Sequence, residues 1–276
     1  MTLPETSTND CNAPAADMTG TTGITSLGLK FILVETSRPG NIGAAARAMK
    51  TMGFSQLVLV RPRFADATSD AEAIAFASGA QDVLQAAQVV DSIEAALAGC
   101  NFAAAVSARL REFSPPVVTP RGLAEQLAGA SDCQAALVFG NERFGLPNEI
   151  VEKCNVLINI PANSAYSSLN LAQAVQIVAY ECAMARQAGA TVAKSRGAPG
   201  TTDVVGFRGQ AADLQQVEAL YVHLEAALVA LQFLDPSNPK KLMTRLRRLF
   251  SRAGLEVEEV NILRGIANKI LRSRQP

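Results

Sequence analysis

The segment FILVETSRPGNIGAAARAMKTMG, residues 31–53, decides the fold class of this chain of 276 residues. It starts with an apolar run that ends at Glu35, continues through a Pro-Gly turn, and enters a helical pattern that Asn41 can cap. One face of the predicted helix is expected to pack on a sheet: Ile42, Ala45, Ala46, Met49 and Met52. Arg47 projects from the opposite side. A strand that leads into a covering helix is typical of α/β proteins.

The same alternation continues along the chain. Apolar runs of about five residues predict buried strands at 31–35, 56–60, 102–106, 135–139 and 156–160. Helical patterns lie between and after them, at 41–52, 71–77, 93–98, 122–127, 147–153 and 168–187. Short apolar strands that alternate with helices predict an α/β domain with a mostly parallel sheet.

Composition divides the chain into four parts. Residues 1–28 are rich in Thr, Ala, Asn, Asp and Gly and predict a disordered tail, because they have neither the basic start nor the apolar run of a secretory signal. The α/β domain spans 29–188. Residues 189–210 have the Gly, Ala, Thr and Ser content of a linker. Residues 211–276 predict a small helical module, with helices at about 211–231, 240–252 and 256–272.

Charge and cysteine usage exclude several classes of protein. The 25 Lys and Arg residues balance 25 Asp and Glu residues, but residues 240–276 carry ten basic residues against three Glu, which hints at a polyanionic partner. The odd number of scattered cysteines and the single histidine, His223, argue against a disulfide framework, a zinc site and most nucleophile–base pairs. No apolar run approaches the about 18 residues of a membrane span. We therefore expect a cytoplasmic protein without metal or membrane partner, with free thiols: Cys11, Cys100, Cys133, Cys154 and Cys182.

Two further segments end predicted strands in polar loops. In LVFGNERFGLPNEI, residues 137–150, Gly140 and Gly145 flank Glu142, and the loop lies where ligands bind in open α/β sheets, although by itself it is as typical of a structural turn. In INIPANSAYSSLNLAQAV, residues 158–175, either Ser167 or Ser168 can cap the next helix. A cap alone does not explain the polar Asn170 on its first turn. The spacing of a standard dinucleotide loop is absent, which disfavours a dehydrogenase.

These three segments, in this order, resemble the motifs of the SpoU (TrmH-like) class of SPOUT RNA 2′-O-methyltransferases. The matching motifs are NIGxxxR at 41–47, FGxExxGL at 139–146, and Ile160-Pro followed by YSSLN at 166–170. SARLR at 107–111, LRRLF at 246–250 and NILRG at 261–265 are similar to the TrmJ-type subfamily, which methylates cytidine or uridine at position 32 of tRNA. The resemblance covers about residues 30–272.

The resemblance implies a SPOUT-type parallel sheet with a C-terminal trefoil knot, a small all-helical module after it, and a homodimer in which the first motif of one subunit completes the site of the other. It implies S-adenosyl-L-methionine as cofactor, bound by Val106, Ser107, Ala108, Gly140, Ile160, Ser167, Ser168 and Leu169. The reaction it implies is methyl transfer to a ribose 2′-hydroxyl in the tRNA anticodon loop.

The resemblance also assigns roles to charged and polar side chains. It assigns the catalytic step to Arg47. Because a guanidinium is a poor base at neutral pH, our hypothesis is that Arg47 orients the nucleotide and stabilises the developing alkoxide. The supporting catalytic residues are Asn41, Glu142, Ser168 and Asn170. Predicted RNA-binding residues are Arg109, Arg111, Lys241, Arg245, Arg248 and Arg252, the last four beside an apolar face of Leu242, Leu246 and Leu249. Two alternatives stay open, which are an enzyme of the same class acting on ribosomal RNA and a catalytically silent RNA-binding protein.

Overall fold

A seven-stranded parallel sheet forms the centre of the molecule, in a computed structural model that describes residues 28–111, 114–130, 133–195 and 209–273. The strands are β1 (Gly28–Val34), β2 (Leu57–Val60), β3 (Gln88–Val90), β4 (Phe102–Val106), β5 (Val117–Val118), β6 (Gln134–Phe139) and β7 (Val156–Ile158). Their order across the sheet is β3-β2-β1-β6-β4-β7-β5, and each neighbouring pair is parallel.

Helices cover both faces of this sheet and form the C-terminal module. They are α1 (Pro39–Thr51), α2 (Ala71–Ala77), α3 (Gln81–Gln85), α4 (Ile93–Leu97), α5 (Pro120–Ala128), α6 (Asn148–Val151), α7 (Leu171–Ser195), α8 (Leu214–Ala230), α9 (Leu242–Ala253) and α10 (Val257–Ser273). The five predicted strands and the six predicted helices of the α/β domain all exist, and their ends differ by at most three residues, except that the helix predicted at 168–187 ends at Ser195. Three short elements were not predicted from the sequence: β3 with three residues, β5 with two and α3 with five.

Alternation along the strands builds two apolar layers. Phe31 and Leu33 of β1 join the layer beneath α1, α5 and α7, whereas Ile32 and Val34 face the layer beneath α4 and α6. Phe31 stacks on Phe139 of β6 with ring centroids 6.2 Å apart. The apolar face predicted for α1 is confirmed, since Ile42, Ala45, Ala46 and Met49 are fully buried and Met52 packs against the same core.

The predicted starts of two helices were wrong. Helix α1 begins at Pro39 with Arg38 as its N-cap residue, because proline is favoured in the first turn, so Asn41 lies inside the helix and does not cap it. Helix α7 begins at Leu171, and Asn170 Oδ1 accepts the N–H groups of Ala172 at 2.9 Å and Gln173 at 3.4 Å. Asn170 therefore caps α7, in place of Ser167 or Ser168.

The predicted boundaries of the linker and tail can be compared only in part. Helix α7 continues to Ser195, seven residues beyond the predicted end of the α/β domain at 188. The rest of the predicted linker, 196–208, and the predicted tail up to residue 27 lie outside the described residues.

The C-terminal module packs against the amino ends of the strands. Leu214 N donates to Cys100 O at 3.0 Å, just before β4, and Lys153 Nζ lies 3.1 Å from Glu94 and 3.6 Å from Glu218 of α8. The predicted apolar face of α9 is wrong at Leu249, which is 48% exposed, while Leu242 and Leu246 are half-buried. The face turned toward α8 instead includes Arg247, whose guanidinium pairs with Glu218 at 2.6 and 2.8 Å.

Candidate active site

A cleft of ≈ 240 Å³ opens at the carboxyl ends of β4, β6 and β7. The loops that follow these three strands form its walls, which is the usual position of a ligand site in a parallel sheet. The structure brings all eight predicted cofactor-binding residues into its lining: Val106, Ser107, Ala108, Gly140, Ile160, Ser167, Ser168 and Leu169. Segments about 60 residues apart in the sequence therefore meet at one cleft, as the motif analysis predicts.

The loop after β6 is tightly closed. Asn141 and Gly145 form a two-residue bridge, with N–O distances of 3.2 and 2.8 Å, and Gly145 has a φ of +68°. A Cβ on Gly140 would lie 2.5 Å from both Gly145 O and Leu146 N, so only glycine fits this close backbone approach. The two glycines of the motif thus shape one wall of the cleft.

A chain of side-chain hydrogen bonds joins the three motifs. Asn170 Nδ2 donates to Asn41 Oδ1 at 3.0 Å, and Asn41 Nδ2 donates to Glu142 Oε1 at 2.8 Å. The other carboxylate oxygen of Glu142 accepts Ser37 N at 3.0 Å and Ser37 Oγ at 2.8 Å. The structure therefore places Asn41, Glu142 and Asn170 in direct contact, although more than 100 residues of sequence separate the first from the other two.

The electrostatic state of Glu142 follows from these contacts. Burial alone raises the pKa of this carboxyl group, but the hydrogen bonds from Asn41 and Ser37 outweigh it and hold the pKa below its usual value. Glu142 is consequently an anion at neutral pH and acts as an acceptor only. Its arrangement is that of a structural anchor between β6 and α1 rather than of a proton donor.

Arg47 does not join this group within one chain. It is exposed, does not line the cleft, and forms no hydrogen bond or ion pair with any described residue. Six helical positions separate it from Asn41, which turns its side chain by about 120° and moves it roughly 9 Å along the axis of α1. The structure of a single chain thus separates the predicted catalytic arginine from the predicted cofactor site.

The two arginines beside the cleft differ in whether the guanidinium group is hydrogen-bonded to the opposite loop. Arg111 donates to Leu146 O and Asn148 Oδ1, both at 2.6 Å, and its partial burial together with nearby Arg109 lowers its pKa. These bonds tie the loop after β4 to the loop after β6, so Arg111 holds the cleft together. The Arg109 side chain is exposed at the cleft wall and is open to a ligand.

The basic residues of α9 lie apart from the cleft. Lys241, Arg245, Arg248 and Arg252 are exposed, but the module that carries them packs at the amino ends of the strands. A five-residue strand such as β4 separates the two ends of the sheet by roughly 17 Å. Only a ligand larger than a nucleotide can therefore contact both regions of one chain.

Several residues at the cleft were missed by the sequence analysis. Asn141 is buried, donates to Glu35 O at 2.6 Å, and accepts the N–H groups of Arg143 and Phe144. Phe144 is 67% exposed and lines the cleft. Asn141 and Phe144 occupy positions that the motif leaves variable, so the motif carried no signal for them.

Outside the cleft, we considered metal sites, membrane helices and cysteine thiols in the described part of the chain. Within the described ranges, no three His, Cys, Asp or Glu side chains are grouped to bind a metal, and no helix is long and apolar enough to cross a membrane. Four cysteines are free there, and burial raises the pKa of Cys154 and of Cys182 to about 12. Cys11 lies outside the described residues.

Comparisons with known proteins agree with this geometry. The profile of the SpoU rRNA Methylase family matches residues 28–180, and that of the tRNA methyltransferase TrmJ, C-terminal domain, matches residues 215–276. The tRNA (cytidine/uridine-2′-O-)-methyltransferase TrmJ of Photorhabdus laumondii is 45% identical over 243 residues, which cover 88% of this chain and 96% of that protein. The tRNA (cytidine/uridine/adenosine-2′-O-)-methyltransferase TrmJ of Pseudomonas aeruginosa is 44% identical, covering 86% and 91%.

Solved structures that resemble this chain are likewise a TrmJ and a methylase family protein. The crystal structure of TrmJ from Z. mobilis superposes with a TM-score of 0.72 at 32% sequence identity, covering 87% of this chain and 98% of that one. A probable methylase family protein from Haemophilus influenzae gives a TM-score of 0.57 at 38% identity, covering 89% and 97%. Both likenesses extend over the α/β domain and the helical module.

Proposed function

Because this chain belongs to the SpoU methylase family, we propose that it transfers a methyl group from S-adenosyl-L-methionine to the ribose 2′-hydroxyl of cytidine or uridine at position 32 in the tRNA anticodon loop. The relatives over nearly its full length are tRNA cytidine/uridine 2′-O-methyltransferases, and its last 62 residues match a domain named for them. The observation that carries the proposal is the cleft at the carboxyl ends of β4, β6 and β7, lined by every residue expected to bind the cofactor. Since its substrate is tRNA, we place the enzyme in the cytoplasm.

The lining of the cleft fits S-adenosyl-L-methionine. Ile160 and Leu169 offer apolar walls for the adenine ring, and Ser107, Ser167 and Ser168 offer hydroxyl groups beside it. Gly140 keeps the wall free of a side chain where the loop after β6 folds back on itself. When bound, the sulfonium of this cofactor supplies an activated methyl group, so the protein contributes mainly position and electrostatics.

We place Arg47 in the active site of a second subunit. Within one chain it is exposed and separated from the cleft, and the neighbouring Ala44 is small and only half-buried, whereas Ala48 is buried in the core of its own chain. In a homodimer with two-fold symmetry, each Arg47 then completes the partner's cleft. There its guanidinium orients the target ribose and stabilises the alkoxide that develops as the 2′-hydroxyl passes its proton to a phosphate oxygen of the RNA.

Asn41, Glu142 and Asn170 act as positioning residues. Their hydrogen bonds fix the start of α1, the loop after β6 and the start of α7 relative to one another. Because Arg47 is on α1, the same bonds fix the angle at which α1 presents Arg47. Ser168 lines the cleft and contacts the cofactor or the ribose directly.

RNA contacts extend from the cleft to the helical module. Arg109 is exposed at the cleft wall, and Arg248 and Arg252 of α9 are exposed at the far end of the sheet. The two regions lie at opposite ends of the strands, which are roughly 17 Å long, so a ligand that contacts both must be larger than a single nucleotide, as an anticodon stem is. Arg111 is committed to Leu146 and Asn148 and supports the loops instead.

We also propose that the chain is knotted at its C-terminal half. Parallel pairing places β6 between β1 and β4, and the chain leaves β7, crosses residues 159–170 and returns as α7 against α1 and α5. Asn159 Nδ2 donates to Ser107 O at 3.1 Å, which ties the returning segment to the loop after β4. Pulling on residues 28 and 195 in a single-molecule experiment should leave an extended length shorter than that of the free chain.

The direct test is methylation of an unmodified tRNA transcript by the purified protein, followed by nuclease mapping and mass spectrometry. A 2′-O-methyl group at position 32 that is absent with Arg47→Ala supports the proposal. Adenosine at position 32 should also be tested, since a relative's name includes that nucleoside. Methylation of ribosomal RNA alone would overturn the substrate.

Mixed dimers test whether Arg47 acts across the interface. Arg47→Ala removes the arginine, and Gly140→Ala damages the cofactor cleft, so neither homodimer should be active. A random mixture of the two subunits should recover roughly a quarter of the wild-type rate if Arg47 acts in the partner's cleft, because half of the dimers then contain one intact site. No recovery would place Arg47 and the cleft in the same chain.

A further inference from the structure

Phe144 is an exposed aromatic ring at the entrance of the cofactor cleft. It is 67% exposed and lines the cleft, yet the family motif does not require an aromatic residue there. We propose that Phe144 stacks on a nucleobase of the RNA strand that carries the target ribose, and that Arg63 and Arg143 bind the adjoining phosphates. This inference rests on the proposed function, which brings RNA to this cleft.

The loop presents the Phe144 ring in a fixed position. Asn141 Oδ1 accepts Arg143 N at 2.8 Å and Phe144 N at 3.2 Å, and the bridge to Gly145 closes the loop behind them. Because Asn141 is buried and anchored to Glu35 O, the ring is held at the tip of an ordered turn. Because the backbone that carries the ring is already ordered, only rotation of the Phe144 side chain is restricted when a base stacks on it.

Two guanidinium groups lie over the Phe144 ring, and the residue nevertheless stays 67% exposed. The Arg143 and Arg63 guanidinium carbons lie 5.2 and 5.8 Å from the Phe144 centroid. Arg63 comes from the loop after β2, and the carboxylate of Glu35 holds it at 3.4 Å. An exposed aromatic ring with cations beside it is the combination that single-stranded RNA requires, since bases stack on the ring and phosphates pair with the cations.

The position of the cluster favours RNA over a second copy of the chain. A methyl acceptor must lie against the cofactor, so the nucleotides next to it pass the mouth of the cleft, where Phe144 lies. A two-fold interface centred on this ring would bring like charges together, because each copy carries Arg63 and Arg143 beside it. A polyanion has the complementary charge.

Substitution of Phe144 separates stacking from other roles. Phe144→Ala should raise the KM for tRNA about 10-fold, and Phe144→Tyr should retain the wild-type value, because base stacking needs a flat ring of either kind. The Kd for S-adenosyl-L-methionine, measured by calorimetry without RNA, should stay unchanged in both variants. Arg63→Gln and Arg143→Gln should each weaken tRNA binding and reduce its dependence on salt.

The chain has no tryptophan, which allows a direct spectroscopic test. Phe144→Trp introduces a single indole, and a base stacked on it should quench its fluorescence when tRNA is added. Phe76→Trp is the matched control, since Phe76 is 53% exposed on α2 and does not line the cleft. Its fluorescence should not change.

Three results would overturn the inference. They are an unchanged KM in Phe144→Ala, a Phe144→Trp signal that ignores tRNA, and a signal that shifts with protein concentration in the absence of RNA, which would mean that a second copy covers the ring. The first two count against stacking when the wild-type protein methylates tRNA in the same assay. Failure of the wild-type protein to methylate any tRNA would instead overturn the proposed function.

Discussion

Gly140→Ala is expected to damage both the fold and the cofactor site through one added methyl group. The new Cβ would lie 2.5 Å from Gly145 O and from Leu146 N, and backbone atoms cannot move aside as the end of a side chain can. Relief of the overlap requires the loop after β6 to shift by roughly 1 Å, to reach ordinary contact distances. The two hydrogen bonds between Asn141 and Gly145 would be weakened or lost.

The size of the effect follows from these two contributions. Overpacking costs about 1–3 kcal/mol, and each weakened backbone hydrogen bond costs about 0.5–1.5 kcal/mol. A total of about 3 kcal/mol lowers the Tm by roughly 6–12 °C for a domain of this size. A displacement of about 1 Å in a substrate-positioning loop is worth about 100-fold in rate, and we expect the methylation rate of the remaining folded protein to fall by that order.

Thermal unfolding, calorimetric titration with S-adenosyl-L-methionine and tRNA methylation measure the three effects. Gly265→Ala is the matched control, since no atom lies within 4 Å of its added Cβ and α10 is helical there. That variant should be more stable by about 0.5–1 kcal/mol, with unchanged activity. A Gly140→Ala protein with wild-type Tm and wild-type cofactor affinity would refute the close approach of the two glycine segments.

Three further predictions concern other contacts. Because the pKa of Glu142 is lowered in the folded protein, its stabilising effect is complete above the pKa of the unfolded chain and is lost as pH falls through the folded value. Glu142→Gln should therefore flatten the decline of Tm below about pH 4.5. An equally steep decline of Tm in this variant would contradict the hydrogen bonds to Asn41. Arg247→Met leaves Glu218 without its bidentate partner and should lower the free energy of unfolding, measured by urea titration, by about 2 kcal/mol. An unchanged free energy of unfolding would mean that Lys153 alone balances the charge of Glu218. Burial raises the pKa of Cys154 to about 12, so iodoacetamide at pH 8 should label this thiol only as fast as the protein unfolds; rapid labelling in native buffer would show that solvent reaches it.

The elements that the sequence predicts well are those with a clear apolar pattern, either a helical period or a continuous run. The buried face of α1 was found from its helical period. The five apolar strands were found from their apolar runs, because burial on both faces of a parallel sheet leaves a continuous run. Strands β3 and β5 are two or three residues long and lie at the edges of the sheet, where residues such as Val89 and Val117 stay exposed. Strands this short and this exposed contain no apolar run that could be recognised in the sequence.

At the site, too, the motifs predicted which residues lie together but not which contacts each of them makes. The residues that the motifs assign to the cofactor all line one cleft. The motifs did not reveal that Asn41 serves Glu142 rather than the start of its own helix, because a cap and a tertiary hydrogen bond require the same side chain. Nor did they distinguish the tethered Arg111 from the exposed Arg109, a difference that depends on Leu146 and Asn148, 35 or more positions away.

The strand order has a consequence for synthesis on the ribosome. Strand β1 pairs with β2 on one side, but its other neighbour, β6, ends at Phe139, about 100 residues later. At about 5–20 residues per second, the apolar edge of β1 has no partner for at least about 5 seconds after it is made. The hydrogen bond from Asn170 to Asn41 spans 129 residues and forms later still. Such high contact order predicts slow folding. A nascent chain shorter than about 140 residues exposes the unpaired edge of β1 to chaperones, and one shorter than about 170 residues has no complete active site.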